Sequence, residues 1–221
     1  GVMGVCIAYY LVEQGHSVTL VEKDDIAAGS SYGNAGLIVP SHVIPLAAPG
    51  VPRQGLKWMF DAESPLYIKP RPNLALVRWM WHFLVACRKA PMQHTISVLS
   101  ELNRFGLGLH NELAAIDGLD FGYEQKGGLY LYNTENGFKK GIKSAHLLKD
   151  VGVQTQVLND VDAVRSIEPQ VSDSIVGGIY YPDDTHLIPD RFVHQMAQLV
   201  ESRGVCIKTN TEVLHIETSE N

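Results

Sequence analysis

The chain has 221 residues, 18 basic and 24 acidic, for a formal net charge of −6. Apolar residues make up 45% and charged residues 19%, below the ~25% charged of an average soluble domain, which excludes a disordered or polyelectrolyte chain. The acidic balance excludes nucleic acid as the main partner, because no basic field gathers phosphates. Three cysteines, Cys6, Cys87 and Cys206, are widely separated and form no CxxC pair. That pattern predicts buried thiols in a reducing compartment rather than a disulfide framework. The histidines form no HExxH or Cys/His ligand cluster, so no metal site is expected.

Residues 2–14 read as a helix of small and aliphatic residues, stopped by Gly15 in the left-handed cap position. Ser17-Val18-Thr19-Leu20-Val21 is a β-branched apolar run suited to a buried parallel strand, closed by Glu22. Residues 28–56 are rich in Gly, Ala, Ser and Pro. Their Ala47-Ala48-Pro49-Gly50-Val51-Pro52 run excludes a helix interior, so a long loop, functional or flexible, is predicted. From 73 to 116 the pattern is helical, as two helices separated near Pro91. Strands are predicted at 121–125 and 128–132, then a turn at 133–137 and a helix at 138–149. A strand at 153–158, a short helix at 161–167 and a strand at 177–181 follow. After the turn-rich Pro182-Asp183-Asp184 come a helix at 191–202 and strands at 205–208 and 212–217. The order describes a nucleotide-binding α/β segment (1–72), an inserted α+β region (73–203) and a return to the first (204–221).

Gly1 and Gly4 stand in GxxG spacing directly before the first helix. A dinucleotide fingerprint is GxGxxG after a strand, with an acidic residue ~20 positions on. Gly1 and Gly4 are its second and third glycines and Glu22 the acid. A Cβ at the second would hold the backbone off the pyrophosphate, and the third lets helix and strand pack closely. The helix N-terminus then faces the phosphates. Glu22 would accept hydrogen bonds from ribose hydroxyls and disfavour a 2′-phosphate. These residues alone leave FAD and NAD both open. The chain starts without Met inside this motif, so the first strand and first glycine are expected to precede it in a longer protein.

Gly29-Ser30-Ser31-Tyr32-Gly33-Asn34-Ala35-Gly36-Leu37-Ile38 resembles the flavin-contacting loop of the FAD-dependent D-amino-acid oxidase and dehydrogenase family. The run 47–52, Leu56-Lys57-Trp58-Met59-Phe60, Ser64-Pro65-Leu66, Leu76-Val77-Arg78-Trp79-Met80-Trp81 and Gly127-Gly128-Leu129-Tyr130-Leu131 bring it nearest the family's bacterial D-amino acid dehydrogenase branch. The resemblance implies an α/β fold: a partial Rossmann-like FAD-binding domain with an inserted α+β substrate domain containing an antiparallel sheet. It implies FAD as cofactor. Gly1 and Gly4 match the pyrophosphate loop, Glu22 the ribose acid and Lys23 its neighbour. Ser30, Ser31, Asn34, Ala35 and Gly36 match the loop running past the phosphates, Leu37 or Ile38 approaches the isoalloxazine, and Val213 contacts adenine through its backbone. Independently of the family, small residues permit close backbone approach to a bulky cofactor, and Ser and Asn offer donors to phosphate oxygens.

The implied reaction passes hydride from substrate Cα to flavin N5, giving an imino acid that hydrolyses to a 2-oxo acid and ammonia. The partners it implies are a small D-amino acid and a respiratory quinone. It also implies a cytoplasmic enzyme with peripheral contact at the inner face of the cytoplasmic membrane. The Trp79–Val85 helix, Lys57-Trp58-Met59-Phe60 and flanking Arg78 and Arg88 are candidates for that contact, against ordinary packing in the substrate domain. The substrate-side arginine is expected beyond residue 221, so no catalytic residue is named and the isolated chain is expected to be inactive. His186 reads as an exposed turn histidine without a partner. Rival readings are a glycine or sarcosine-type oxidase using oxygen, an NAD-dependent dehydrogenase and a non-catalytic fragment.

Overall fold

A computed structural model describes residues 1–58 and 73–217. The element order is α1 (Val2–Glu13), β1 (Thr19–Val21), β2 (Leu37–Ile38), α2 (Val51–Trp58), α3 (Leu74–Ala86), α4 (Lys89–Ala114), β3 (Gly128–Tyr132), α5 (Glu135–Lys149), β4 (Gln156–Leu158), α6 (Val161–Arg165), β5 (Gly177–Tyr181), β6 (Thr185–His186), α7 (Pro189–Ser202) and β7 (Cys206–Lys208). The chain divides into two compact units, one of residues 1–39, 108–127 and 184–221, the other of 40–107 and 128–183. The boundaries read from sequence, 72/73 and 203/204, both fall inside these units. The reason lies in the cores. Leu113, Phe121, Phe192, Val193, Met196 and Val200 are buried in one cluster with Val5, Ala8 and Leu20. Residues 108–127 and α7 therefore rejoin the first unit well before 204.

In the first unit, β1 pairs in parallel with β7, with Thr19 opposite Cys206 and Val21 opposite Lys208. The predicted parallel pairing is present, but only Leu20 of β1 is buried. One face of this pair packs on helices, so Thr19 and Val21 on the other face stay exposed, and so does Cys206, contrary to the expected buried thiol. Gly15 ends α1 at φ +82°. Its N–H donates to Val12 O at 3.0 Å and that of His16 to Leu11 O at 3.1 Å, the pair of bonds that satisfies terminal carbonyls. Arg203 stacks on the Tyr9 ring at 5.0 Å and ion-pairs with Glu13. A second small sheet joins β2 antiparallel to β6, Leu37 opposite His186 and Ile38 opposite Thr185.

The second unit is built on an antiparallel sheet in the order β3-β5-β4. Gly178 faces Leu131 and Leu158 on either side, and Phe138, Ala145, Leu148, Ile179 and Tyr181 form its core with Val43 and Ile96. Thr134 caps α5 by accepting from Gly137 N–H at 3.2 Å, and Asp160 caps α6 by accepting from Ala163 N–H at 2.7 Å. The helical stretch from 73 breaks at Cys87-Arg88 rather than at Pro91, which sits in the first turn of α4 where a missing N–H costs nothing.

Several local expectations are corrected. The 28–56 loop contains β2 and ends in α2, whose Pro52 lies in the first helical turn. The strand expected at 121–125 is a single bridge between Glu124 and His186. The strand expected at 212–217 is absent: 211–217 carry no regular structure. Met59, Phe60 and Ser64-Pro65-Leu66 lie outside the described residues.

Candidate functional site

Three of the predicted cofactor residues converge at the start of α1. Gly1 is the N-cap and supplies no side chain, so the first amides of the helix are met by other groups or left for a ligand. Val2 N–H donates to Ser31 Oγ at 2.9 Å, and the Gly1 nitrogen lies 3.0 Å from Glu22 Oε2. A Cβ added at Gly1 would come within 3.1 Å of Ser31 Oγ, tighter than ordinary packing. At Gly4 a Cβ would meet Leu20 Cδ1 at 3.6 Å, ordinary van der Waals contact. Against β1, the strand that follows the helix, there is room for a methyl at position 4.

Glu22 sits where β1 ends. Its own N–H continues the ladder to Lys208 O at 2.9 Å, which fixes the backbone from which the side chain turns toward α1. The Asp24 N–H donates to Glu22 Oε1 at 3.3 Å. Lys23 points away, paired with Asp24 at 3.7 Å and largely exposed. Thr211 N–H donates to Glu22 O at 2.9 Å, so the segment carrying Val213 begins beside the acid, although the Val213 side chain is 58% exposed.

The loop from Ser30 to Leu37 is shaped by Asn34. Its Nδ2 donates to the Ser30 and Ser31 carbonyls, both at 3.1 Å, and its Oδ1 accepts from Gly36 N–H at 2.8 Å. The Asn34 amide is thus committed to the loop's own backbone, and the expectation that it donates to phosphate is corrected to a loop-shaping role. Ser30 and Ala35 are exposed. Gly36 adopts φ +64° and is buried; a Cβ there would collide with the Leu187 carbonyl oxygen and come within 3.1 Å of Pro189 Cδ. Gly36 O in turn accepts from Leu187 N–H at 2.9 Å. This clamp sets the start of β2 and presents Leu37, 63% exposed, at the loop's far end.

The register of β2 with β6 adds residues that no sequence pattern marks. Leu37 and His186 are directly opposed, so their side chains share a face. Beyond His186 stands Glu124, its bridge partner, with Oε2 3.6 Å from His186 Nε2. Lys126 ion-pairs with the same carboxylate and lowers its pKa first by hydrogen bonding and then by charge. His186 is therefore partnered, contrary to the expectation of a lone turn histidine. Two-residue strands leave no periodic signal, so only the fold reveals the pairing.

A parallel β-pair backed by helices, joined in one chain to an antiparallel sheet, is a Rossmann-like FAD-binding fold with mixed helices and sheets. The chain belongs to the FAD dependent oxidoreductase (DAO) family, whose sequence profile matches residues 1–221. FAD is the cofactor of that family. Glycine oxidase from Bacillus cereus is similar at 26% identity and a TM-score of 0.69, over 99% of this chain and 46% of its own. FAD-bound L-alpha-glycerophosphate oxidase from Mycoplasma pneumoniae shares the fold at 20% identity and a TM-score of 0.63, over 97% and 44%. L-proline dehydrogenase from P. horikoshii does so at 18% and 0.62, over 96% and 42%. The chain spans less than half the length of these structures.

Proposed function

We propose that the protein is an FAD-dependent oxidoreductase of amines or amino acids, and that its substrates are D-amino acids such as D-alanine. The observation that carries the reading is the convergence of Gly1, Glu22 and Ser31 at the N-terminal end of α1 in a chain of this family. A glycine cap, the N–H groups of the first helical turn and a carboxylate 3.0 Å from the Gly1 nitrogen offer the dinucleotide what it needs. Oriented N–H groups suit the pyrophosphate, and an acceptor suits the ribose hydroxyls. Val213 would meet the adenine through its backbone, and Lys23 would flank the adenosine end. Ser30, Ser31, Asn34, Ala35 and Gly36 would line the path to the ring, with Gly36 fixing Leu37 against it. Bound FAD supplies the two-electron acceptor for the substrate's Cα–H. This chain's residues anchor and orient the cofactor, so that the substrate carbon reacts by being held close to it.

The D-amino acid assignment rests on the sequence runs at 48–52 and 57–60 that resemble the dehydrogenase branch, and with it goes a quinone-type acceptor. Likeness to the Bacillus cereus glycine oxidase favours a second reading, an oxygen-using oxidase of glycine or secondary amines. Anaerobic mixing of the flavin-loaded protein, extended at both ends to the length of its relatives, with D-alanine, L-alanine, glycine and sarcosine separates them. We expect D-alanine to bleach the flavin at least tenfold faster than the others, and a quinone analogue to restore its colour without peroxide. Faster bleaching by glycine with peroxide on reoxidation would favour the second reading, and no bleaching by any amine would refute both.

A further inference from the structure

We propose that His186 is a residue of the flavin-ring site: beside Leu37 it hydrogen-bonds the pyrimidine edge of the isoalloxazine, and Glu124 positions its imidazole. The inference rests on the proposed function and adds residues to the same site. Alternation along β6 decides which way the side chain goes. Thr185 and Leu187 are buried, and the Thr185 hydroxyl donates to Ile38 O at 3.3 Å. Ile38, opposite Thr185, packs on the core. His186 and its partner Leu37 therefore face the other way. On the far side of β6, Glu124 N–H donates to His186 O at 2.9 Å, and His186 N–H donates to Glu124 O at 3.1 Å. Leu37, His186 and Glu124 thus stand abreast on neighbouring segments about 5 Å apart, a spacing that one fused three-ring system spans.

The backbone on both sides of β6 is preset. Gly36, at φ +64°, ties the Leu37 segment to Leu187. Gly122, at φ +65°, lies where a Cβ would come within 2.8 Å of Ile188 Cδ1, and Ile188 N–H donates to Phe121 O at 2.9 Å. Two left-handed glycines therefore hold the neighbours of His186, as a site built on fixed backbone requires. Chemistry selects what this row meets. The isoalloxazine has an apolar dimethylbenzene end and a pyrimidine end, whose N3–H stands between two carbonyls. Leu37 suits the apolar part of the ring. An imidazole pairs with the pyrimidine edge in either protonation state, because that edge offers both a donor and acceptors. Glu124 Oε2 stands 3.6 Å from His186 Nε2, which leaves Nδ1 as the nitrogen offered to the ring. Lys126 ion-pairs with the same carboxylate and keeps it beside the imidazole.

The test titrates FAD and FMN into the apoprotein, extended at both ends to the length of its relatives, and reads affinity and the visible spectrum of the bound flavin. His186→Ala should weaken FAD and FMN alike by about fivefold, as loss of one hydrogen bond does, and should shift the visible band. His186→Gln, which keeps a donor and an acceptor, should restore most of both. Glu124→Ala should shift the band in the same direction with a smaller loss of affinity. Loss for FAD alone would put His186 at the adenosine end and overturn the proposal. So would a His186→Gln variant as impaired as His186→Ala, since packing would then explain the loss. Unmoved affinity and spectrum in His186→Ala would overturn this inference alone, whereas a wild type that binds no flavin would overturn the proposed function with it.

Discussion

Replacing Gly36 by alanine isolates the clamp that presents Leu37. Gly36 stands at φ +64°, where an L-residue costs about 1–2 kcal/mol relative to glycine. Gly15, at φ +82° with nothing within 4 Å of an added methyl, carries that conformational cost alone. At Gly36 the methyl additionally meets the Leu187 carbonyl, which is backbone and cannot rotate aside. Relief requires β2 to shift from the β6–α7 junction, stretching the 2.9 Å Leu187 N–H to Gly36 O bond. A lost buried hydrogen bond adds about 1–3 kcal/mol. We therefore expect Gly36→Ala to cost about 3 kcal/mol and Gly15→Ala about 1 kcal/mol. For a chain of this size each kcal/mol lowers Tm by about 2–4 °C, so calorimetry of the two variants should separate them by several degrees. Gly36→Ala should also weaken FAD binding, whereas Gly15→Ala should not. Equal melting temperatures for the two variants would refute the clamp.

Burial and charge set two further expectations. Burial pushes the Cys6 thiol up to about 11 and also raises that of Cys87, whereas Cys206 is exposed. A disulfide reagent at mildly alkaline pH should find one fast thiol in the native protein, lost in Cys206→Ser; three fast thiols would contradict the core packing. Lys126 holds the Glu124 carboxyl below its usual range, so the pair's contribution is present above the ordinary carboxylate pKa of about 4.3 and fades as pH falls through the lower folded value. Lys126→Met should raise the Glu124 titration seen by carboxyl NMR, and an unmoved titration would remove Lys126 as the cause.

The parts legible in the sequence are those with local causes. The α1–Gly15–β1 run is readable because a left-handed glycine and a β-branched run each dictate their own conformation. The β3 and β5 strands and α5 follow from periodicity and turn residues in the same way. What escapes depends on partners distant in sequence. The β2–β6 pair has too few residues to show alternation, and with it goes the His186–Glu124 contact, 62 positions apart yet on one sheet face. Asn34 resembles a ligand donor because side-chain chemistry is visible in sequence, while its use on the loop's own carbonyls is not. Cys206 departs from expectation because burial of a strand depends on what covers its second face. The unit boundaries shift because α7 and residues 108–127 share a core with α1.

The central claim is that the end of β1 and the start of α1 hold the adenosine and pyrophosphate parts of FAD. It is tested most directly by titrating apoprotein of wild type and Glu22→Ala with FAD and with FMN, which lacks the adenosine. We expect Glu22→Ala to raise the Kd for FAD at least tenfold, about 1.4 kcal/mol, with FMN binding and the melting temperature of the apoprotein unchanged. An unchanged FAD affinity would contradict the assignment of Glu22 and, with it, the placement of the cofactor at the α1 N-terminus.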